Sequence, residues 1–156
     1  MVADETAKVC DRGQAVRDLL GPRFPRIVCL CGSTRFWKAF QEVSLRETMA
    51  GRIVLSVGCD TASDEDHGIT RDQKERLDEL HLRKIDLADE VFVLNVGGYI
   101  GESTGNELAY ALASRNPRKV VRTLEPLDLE AWRMERDKRR RREAVANLEG
   151  KKPGTA

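Results

Sequence analysis

The segment Asp89-Glu-Val-Phe-Val-Leu-Asn-Val-Gly-Gly-Tyr-Ile-Gly-Glu-Ser-Thr-Gly-Asn-Glu107 decides the fold. Its apolar run, Val91 to Leu94, predicts a short buried strand. A glycine-rich loop follows, and a polar cluster, Ser103 to Asn106, opens an amphipathic helical segment. This succession of strand, glycine loop and helix start is typical of the ligand-binding corner of an open parallel sheet. The segment therefore predicts both an α/β fold and a binding site at one edge of its sheet.

Strands and helices alternate along the rest of the chain. We predict strands at residues 27–31, 53–57, 91–94 and 119–124, and helices at 34–50, 70–88, 104–115 and 128–148. Parallel neighbours require crossover connections, which the helices supply. We expect an α/β fold, a Rossmann-like or flavodoxin-like three-layer sandwich with a parallel sheet of about four to five strands. The expected strand order is 2-1-3-4, so that the ends of strands one and three meet.

Two helices have recognisable apolar sides and one has a start signal. Thr70 and Gln73 form a predicted capping box. The first long helix is expected to bury a stripe formed by Phe36, Trp37, Phe40, Val43 and Met49. The second is expected to bury Leu77, Leu80, Ile85 and Leu87.

The chain divides by composition into three parts. Residues 1–24 form a weakly patterned N-terminal extension with a predicted short helix at 14–20, residues 25–126 form the predicted α/β domain that contains the expected binding site, and residues 127–156 form a charged helix and tail. The polar loop at 60–68, which contains His67, is a candidate lid.

Composition points away from membranes and nucleic acid. The formal net charge is +1 and 34% of residues are charged, so no strong overall field attracts polyanions. The basic run from Arg133 to Glu143 is interrupted by acids, which favours a solvated helix face or a subunit contact over nucleic-acid binding. No apolar run is long enough to span a bilayer, and no signal-peptide pattern opens the chain, so a cytoplasmic location is expected.

The four cysteines are interpreted as small buried hydrophobes in a reducing compartment. Cys29 and Cys31 alternate along a predicted strand and share a face, but their spacing is not that of a redox or zinc pair. No set of His, Cys and Asp residues has ligand spacing along the chain, so neither a metal nor another cofactor is expected.

Two loops carry the residues expected to act on a ligand. In the first, Cys31-Gly-Ser-Thr-Arg35, Gly32 allows a tight turn, Ser33 and Thr34 present hydroxyls, and Arg35 can clamp a phosphate. A plain strand-to-helix turn capped by Ser33 explains the same residues. The second loop offers further substrate contacts, for which the candidates are Gly98, Tyr99, Ser103 and Thr104.

Glu107 is the leading candidate for a catalytic nucleophile. We place it in the first turn of its helix, where the helix dipole favours a carboxylate. A glutamate between two such loops can attack the anomeric carbon of a sugar, as in retaining glycosidases. Asp78 and His81, at i and i+3 on the preceding helix, are candidates for proton transfer, with Asp86 nearby.

These motifs together resemble the nucleoside 2-deoxyribosyltransferase superfamily. The resemblance covers about residues 27–124 and rests on Cys31-Gly-Ser-Thr-Arg35, on Asp86-Leu-Ala-Asp-Glu-Val91 and on Gly105-Asn-Glu-Leu-Ala-Tyr-Ala111. The first of these motifs is closer to the 2′-deoxynucleoside 5′-phosphate N-hydrolase branch, whose corresponding loop binds the 5′-phosphate.

The resemblance implies roles for individual residues. Glu107 matches the family's nucleophile, Ser33 and Arg35 match phosphate-loop residues, and Asp89 matches a structural acid. His81 stands where the family has its second catalytic carboxylate, and Gly101 stands where relatives have a serine or aspartate. A homodimer or higher homo-oligomer is implied as well.

The sequence thus predicts an enzyme that cleaves or transfers the N-glycosidic bond of a nucleoside 5′-monophosphate or nucleoside, deoxynucleotides foremost. A non-catalytic nucleotide sensor is the main alternative, favoured by the histidine at position 81. Cleavage of an NAD-type dinucleotide ranks lowest, because no acidic adenine-side signature follows the second strand beyond Asp60.

Overall fold

A computed structural model of the chain describes residues 24–57, 70–116 and 119–149, together with a few isolated positions before residue 24. The predictions for the short helix at 14–20, for the candidate lid with His67, and for Cys10 and Cys59 lie largely or wholly outside these residues. The chain divides into two compact units, residues 1–125 and 126–156.

The first unit is built on a four-stranded parallel sheet. The strands are β1 (Ile27–Cys31), β2 (Ile53–Leu55), β3 (Glu90–Val93) and β4 (Val120–Thr123), in the order β2-β1-β3-β4. This confirms the predicted strand order and the α/β, Rossmann-like class. β1 and β3 are central, and their register pairs Cys31 with Val93.

Helices cover both faces of this sheet and make it the middle of three layers. On one face lies α1 (Trp37–Met49), which a short 3₁₀ turn, Thr34–Phe36, connects to β1. On the other lie α2 (Arg71–Leu87) and α3 (Glu102–Leu112), which contact each other and β1. Because side chains alternate along each strand, β1 and β3 contribute residues to a core on each face of the sheet. Val28, Leu30, Phe92 and Leu94 pack with Phe40 and Val43 of α1.

The opposite core uses the alternate strand positions, Cys29, Cys31, Val91 and Val93, beneath the buried helix residues Ile85, Leu108 and Ala111. The second unit contains one helix, α4 (Leu129–Glu149). None of the helices in the described part of the chain is long and apolar enough to cross a membrane.

The predicted capping box is confirmed at the start of α2. The Thr70 hydroxyl accepts a hydrogen bond from the Gln73 backbone N–H, and the Gln73 side chain accepts one from the Thr70 N–H. Two backbone donors that a helix leaves unpaired are thereby satisfied.

The predicted apolar stripes are only partly right. Met49 is 81% exposed, because the buried position near the end of α1 belongs to Glu47. On α2, Leu77, Leu80 and Leu87 are exposed, and Ile85 and His81 take the buried side. Helical periodicity missed both cases because it assigns apolar residues to buried positions. In this fold the ion-paired Glu47 and the polar His81 occupy buried positions instead.

Glu47 is buried because arginines surround it. Its Oε2 lies 2.9 Å from Arg122 Nη2 and 2.5 Å from Arg52 Nη1. Glu90, at the start of β3, binds the same Arg122 at 2.8 Å. Burial opposes ionisation of Glu47, but the hydrogen bonds from Arg122 and Arg52 outweigh it and lower the pKa of this carboxyl. The network connects α1, through Glu47, to β3 and β4 of the sheet, through Glu90 and Arg122.

Replacing Glu47 with Gln should lower the free energy of unfolding at pH 7 by about 2 kcal/mol, because the partly buried guanidinium groups of Arg52 and Arg122 then have Glu90 as their one remaining carboxylate partner among the described residues. The folded-state pKa lies below the ordinary value of 4.5. The stabilisation that the ionised Glu47 carboxylate gives to the folded state is therefore fully present above pH 4.5 and is lost as the pH falls through the folded pKa.

Urea unfolding of the native protein and of Glu47→Gln between pH 3 and pH 7 measures the difference in their free energies of unfolding. Glu42→Gln is the matched control, since Glu42 lies on the same helix but is exposed, 3.8 Å from Lys38; its effect should stay within about 0.5 kcal/mol. An equal loss in both variants, or a loss that does not change with pH, would contradict the account.

Candidate active site

The carboxyl ends of β1 and β3 open into a cavity of about 510 Å³. Both predicted loops border it, as the strand order requires. Its lining includes most of the residues predicted from sequence, namely Gly32, Ser33, Thr34, Asp78, His81, Tyr99, Ser103, Thr104 and Glu107. Volumes of this size hold small organic ligands.

Two predicted residues lie outside this lining. Arg35 is exposed and stacks its guanidinium on the Tyr99 ring at 4.5 Å from the centroid. Gly98 turns the loop with a φ of 73° and donates its N–H to the Asn95 carbonyl. Asp86, noted as a nearby acid, pairs instead with Arg83 at 2.8 Å and accepts from the Tyr110 hydroxyl.

The first loop turns because Gly32 has no side chain. A Cβ at this position would lie 3.0 Å from the Leu94 Cβ and 3.3 Å from the Leu94 carbonyl oxygen. Ser33 precedes the 3₁₀ turn, but its hydroxyl makes no capping hydrogen bond. The interpretation of Ser33 as a helix cap is therefore wrong, and its hydroxyl remains in the cavity lining.

The glycine loop is held by the buried side chain of Asn95. Its Nδ2 donates to the Glu125 carbonyl at 3.1 Å, and its Oδ1 accepts from the Glu125 N–H at 2.9 Å. The Glu125 carboxylate in turn accepts from Gly97 N–H at 2.7 Å. These bonds connect the segment after β3 to the segment after β4 and fix the loop that carries Tyr99.

Asn95→Ala should destabilise the protein by about 2 kcal/mol, since it removes two hydrogen bonds from the partly buried backbone N–H and C=O of Glu125. It should also speed amide hydrogen exchange at Gly97 and Gly98. Denaturant unfolding and native-state exchange measure the two effects, with Gln41→Ala on the exposed side of α1 as the control. Unchanged protection of the loop in Asn95→Ala would contradict the role assigned to this side chain.

Glu107 lies deeper and further along its helix than predicted. The helix begins at Glu102, so Glu107 is in the second turn, and Glu102 holds the first-turn position favoured by the dipole. The expected dipole effect on Glu107 is therefore wrong. Glu107 is only 9% exposed, and its Oε2 has no hydrogen-bond partner among the described residues. Burial raises the pKa of this carboxyl to about 7, against the opposing charge of His81.

His81 is the nearest basic group to Glu107. Its Nε2 lies 3.9 Å from Glu107 Oε2, and the side chain is buried at 4% residue exposure. Burial disfavours a charged ring, but the hydrogen bond and charge of Cys29 and the charge of Glu107 outweigh it and raise the pKa of His81. A carboxyl and an imidazole in such contact can exchange a proton near neutral pH.

Two buried thiols complete this group. The Sγ of Cys31 lies 3.4 Å from His81 Nε2, and the Sγ of Cys29 lies 4.0 Å from it. A hydrogen bond from Cys31 lowers the pKa of the Cys29 thiol to about 6 against the effect of burial. The same bond, with burial, raises the pKa of Cys31. Both cysteines are free and buried, as the interpretation of small core residues requires.

Several lining residues were not found from the sequence. Lys74 and Lys84 add positive charge, and Val57, Leu77 and Leu80 form an apolar wall. Lys84 Nζ donates to the Ser56 carbonyl at 2.6 Å, which holds the segment after β2 against α2. Leu77 and Leu80 stand out in the sequence as leucines at i and i+3 of an otherwise polar helix stretch, but helical periodicity assigned them to the core. Asp89, predicted to be structural, accepts from the Ile27 N–H at 2.8 Å.

Comparisons with protein-family models, with curated proteins and with solved structures found no match to this chain.

Proposed function

We propose that the protein cleaves or transfers the N-glycosidic bond of a nucleoside 5′-monophosphate or nucleoside, with Glu107 as the nucleophile. The observation that carries the proposal is the position of this carboxylate. It is buried, its Oε2 has no hydrogen-bond partner among the described residues, and it lines a cavity formed where the loops after β1 and β3 meet. Carboxylates that attack sugars occupy such sites, where water is largely excluded.

The cavity offers complementary contacts for the parts of a nucleotide. The Ser33 and Thr34 hydroxyls, next to the backbone amides of the first turn, suit a phosphate, and Lys74 adds a positive charge. The Tyr99 ring, held edge-on by Phe36 at 5.9 Å and stacked by Arg35, offers an aromatic surface to a base. The apolar wall of Val57, Leu77 and Leu80 suits the same flat ring system.

The proposed reaction has two steps. In the first, a Glu107 oxygen bonds to the anomeric carbon as the bond from that carbon to the base nitrogen breaks. The departing base keeps the bonding electron pair and takes a proton from His81 or Asp78, which both line the cavity. In the second, water or another base attacks the anomeric carbon and releases Glu107, while its proton passes to the group that gave one up in the first step, so hydrolase and transferase share one intermediate.

The free base released from purine and pyrimidine nucleosides and monophosphates, measured by chromatography, tests the proposal. Glu107→Gln should reduce release at least about 1000-fold, because it removes the attacking carboxylate with little change of shape. Glu79→Gln is the matched control, since Glu79 is exposed on α2 and lies outside the cavity lining. Asp78→Asn and His81→Asn, assayed in parallel, identify the proton donor by the larger loss.

Base release that persists in Glu107→Gln would remove this residue from the mechanism. Nucleotide binding by the native protein, without base release in the presence or absence of an acceptor base, would favour the sensor. In that case the site would use the same contacts for recognition alone.

A further inference from the structure

We propose that Cys29, Cys31 and His81 bind a thiophilic transition-metal ion of the Zn²⁺ class, with Glu107 as the fourth ligand. This goes beyond the proposed reaction and revises the expectation, based on spacing along the chain, that no metal is bound. The three ligand atoms lie within 4.8 Å of one another, and Glu107 Oε2 lies 3.9 Å from His81 Nε2.

The distances fit a tetrahedral centre. Zinc binds sulfur at about 2.3 Å and nitrogen at about 2.0 Å, which places tetrahedral sulfur and nitrogen ligands about 3.5 Å apart. The two sulfur-to-Nε2 distances here, 3.4 Å and 4.0 Å, bracket that value. Small side-chain rotations are enough to bring all three atoms into bonding range.

The ligands are supplied by packed secondary structure. The alternation of β1 points Cys29 and Cys31 to the same face, His81 projects from α2, and Glu107 projects from α3. All four residues are buried. Ligands fixed by a strand and two helices lose little conformational freedom when an ion binds.

The unsatisfied atoms also point to a ligand. Glu107 Oε2 is buried without a hydrogen-bond partner among the described residues, and a bound cation would give it one. Buried polar atoms without partners are uncommon and call for such an explanation. His81 and Glu107 line the cavity, so an ion in the cavity can reach these two ligands directly.

The donor set selects the class of ion. Two thiols and an imidazole favour soft or borderline ions such as Zn²⁺ and disfavour Mg²⁺ and Ca²⁺, which prefer oxygen ligands. Binding would also occupy His81 Nε2 and Glu107 Oε2. Provided the proposed function holds, the ion would therefore inhibit base release.

Titration of the metal-free protein with Co²⁺ tests the binding itself. We expect thiolate-to-cobalt charge-transfer absorption that saturates at one ion per chain, is displaced by Zn²⁺ and is unaffected by Mg²⁺. The Cys29→Ser, Cys31→Ser double variant should lose the absorption, and His81→Asn should weaken binding more than about 10-fold. Glu79→Gln, on the exposed side of α2 and outside the ligand group, is the control and should bind normally.

X-ray absorption of the zinc-loaded native protein provides a test that no folding defect can affect. It should show two sulfur neighbours at about 2.3 Å and nitrogen or oxygen neighbours at about 2.0 Å. Absence of charge-transfer absorption, survival of it in the Cys29→Ser, Cys31→Ser variant, or a sulfur-free zinc shell would each overturn the site.

Base release measured with and without Zn²⁺, and again after a chelator is added, tests the inhibition. Loss and recovery of activity support it, and unaffected activity in zinc-loaded protein would overturn it. Should the protein release no base at all, the two spectroscopic results still decide whether the metal site exists.

Discussion

The parallel pairing of β1 with β3 is the constraint on which the rest of the structure depends. β2 pairs with one side of β1, and the next strand in the chain, β3, pairs with the opposite side of β1 instead of adding beside β2. The change of direction leaves a crevice above the two central strands, because their connections depart to opposite faces. The Gly32 turn and the glycine loop face each other across it. Without this pairing, Ser33 and Glu107 would not line one cavity.

The same pairing brings several polar side chains together inside an apolar core. On the α2 and α3 face, the chain buries two thiols, an imidazole and a carboxyl where a purely structural core would use aliphatic side chains. Burying such groups costs stability unless they pair. The contacts between them offset part of this cost and shift their proton affinities in opposite directions. Groups with such shifts are typical of functional sites, although they also occur in structural networks.

Much of the fold could be predicted from the sequence because local and long-range signals agree. The strand at 27–31, the capping box at Thr70 and the order of the sheet follow from apolar runs, cap chemistry and crossover rules. Helix starts were less accurate, because Glu102 and Ser103 are acceptable in a first turn as well as in a loop. The predicted helix start placed Glu107 in the first turn, whereas it lies in the second, so burial and not the helix dipole is the main influence on the pKa of this carboxyl.

The candidate site could be predicted only in part, for a different reason. Ser33, in the turn after β1, and Glu107, in the helix that follows the glycine loop, have positions that the topology determines. The approach of Cys29 and Cys31 to His81 depends instead on how α2 packs over β1, across fifty residues of sequence, and no local spacing records it. Exposure of Leu77 and Leu80 was equally invisible, since helical periodicity does not distinguish a core from the wall of a cavity.

The measurement that tests the central claim most directly is mass spectrometry of the protein quenched in acid during turnover of a nucleoside monophosphate. A covalent intermediate predicts a mass increase equal to the sugar phosphate without its base, located on the peptide that contains Glu107 and absent in Glu107→Gln. Base release with the sugar phosphate attached to a different residue, or with none attached to the protein at any time during turnover, would contradict the assignment of Glu107 as nucleophile.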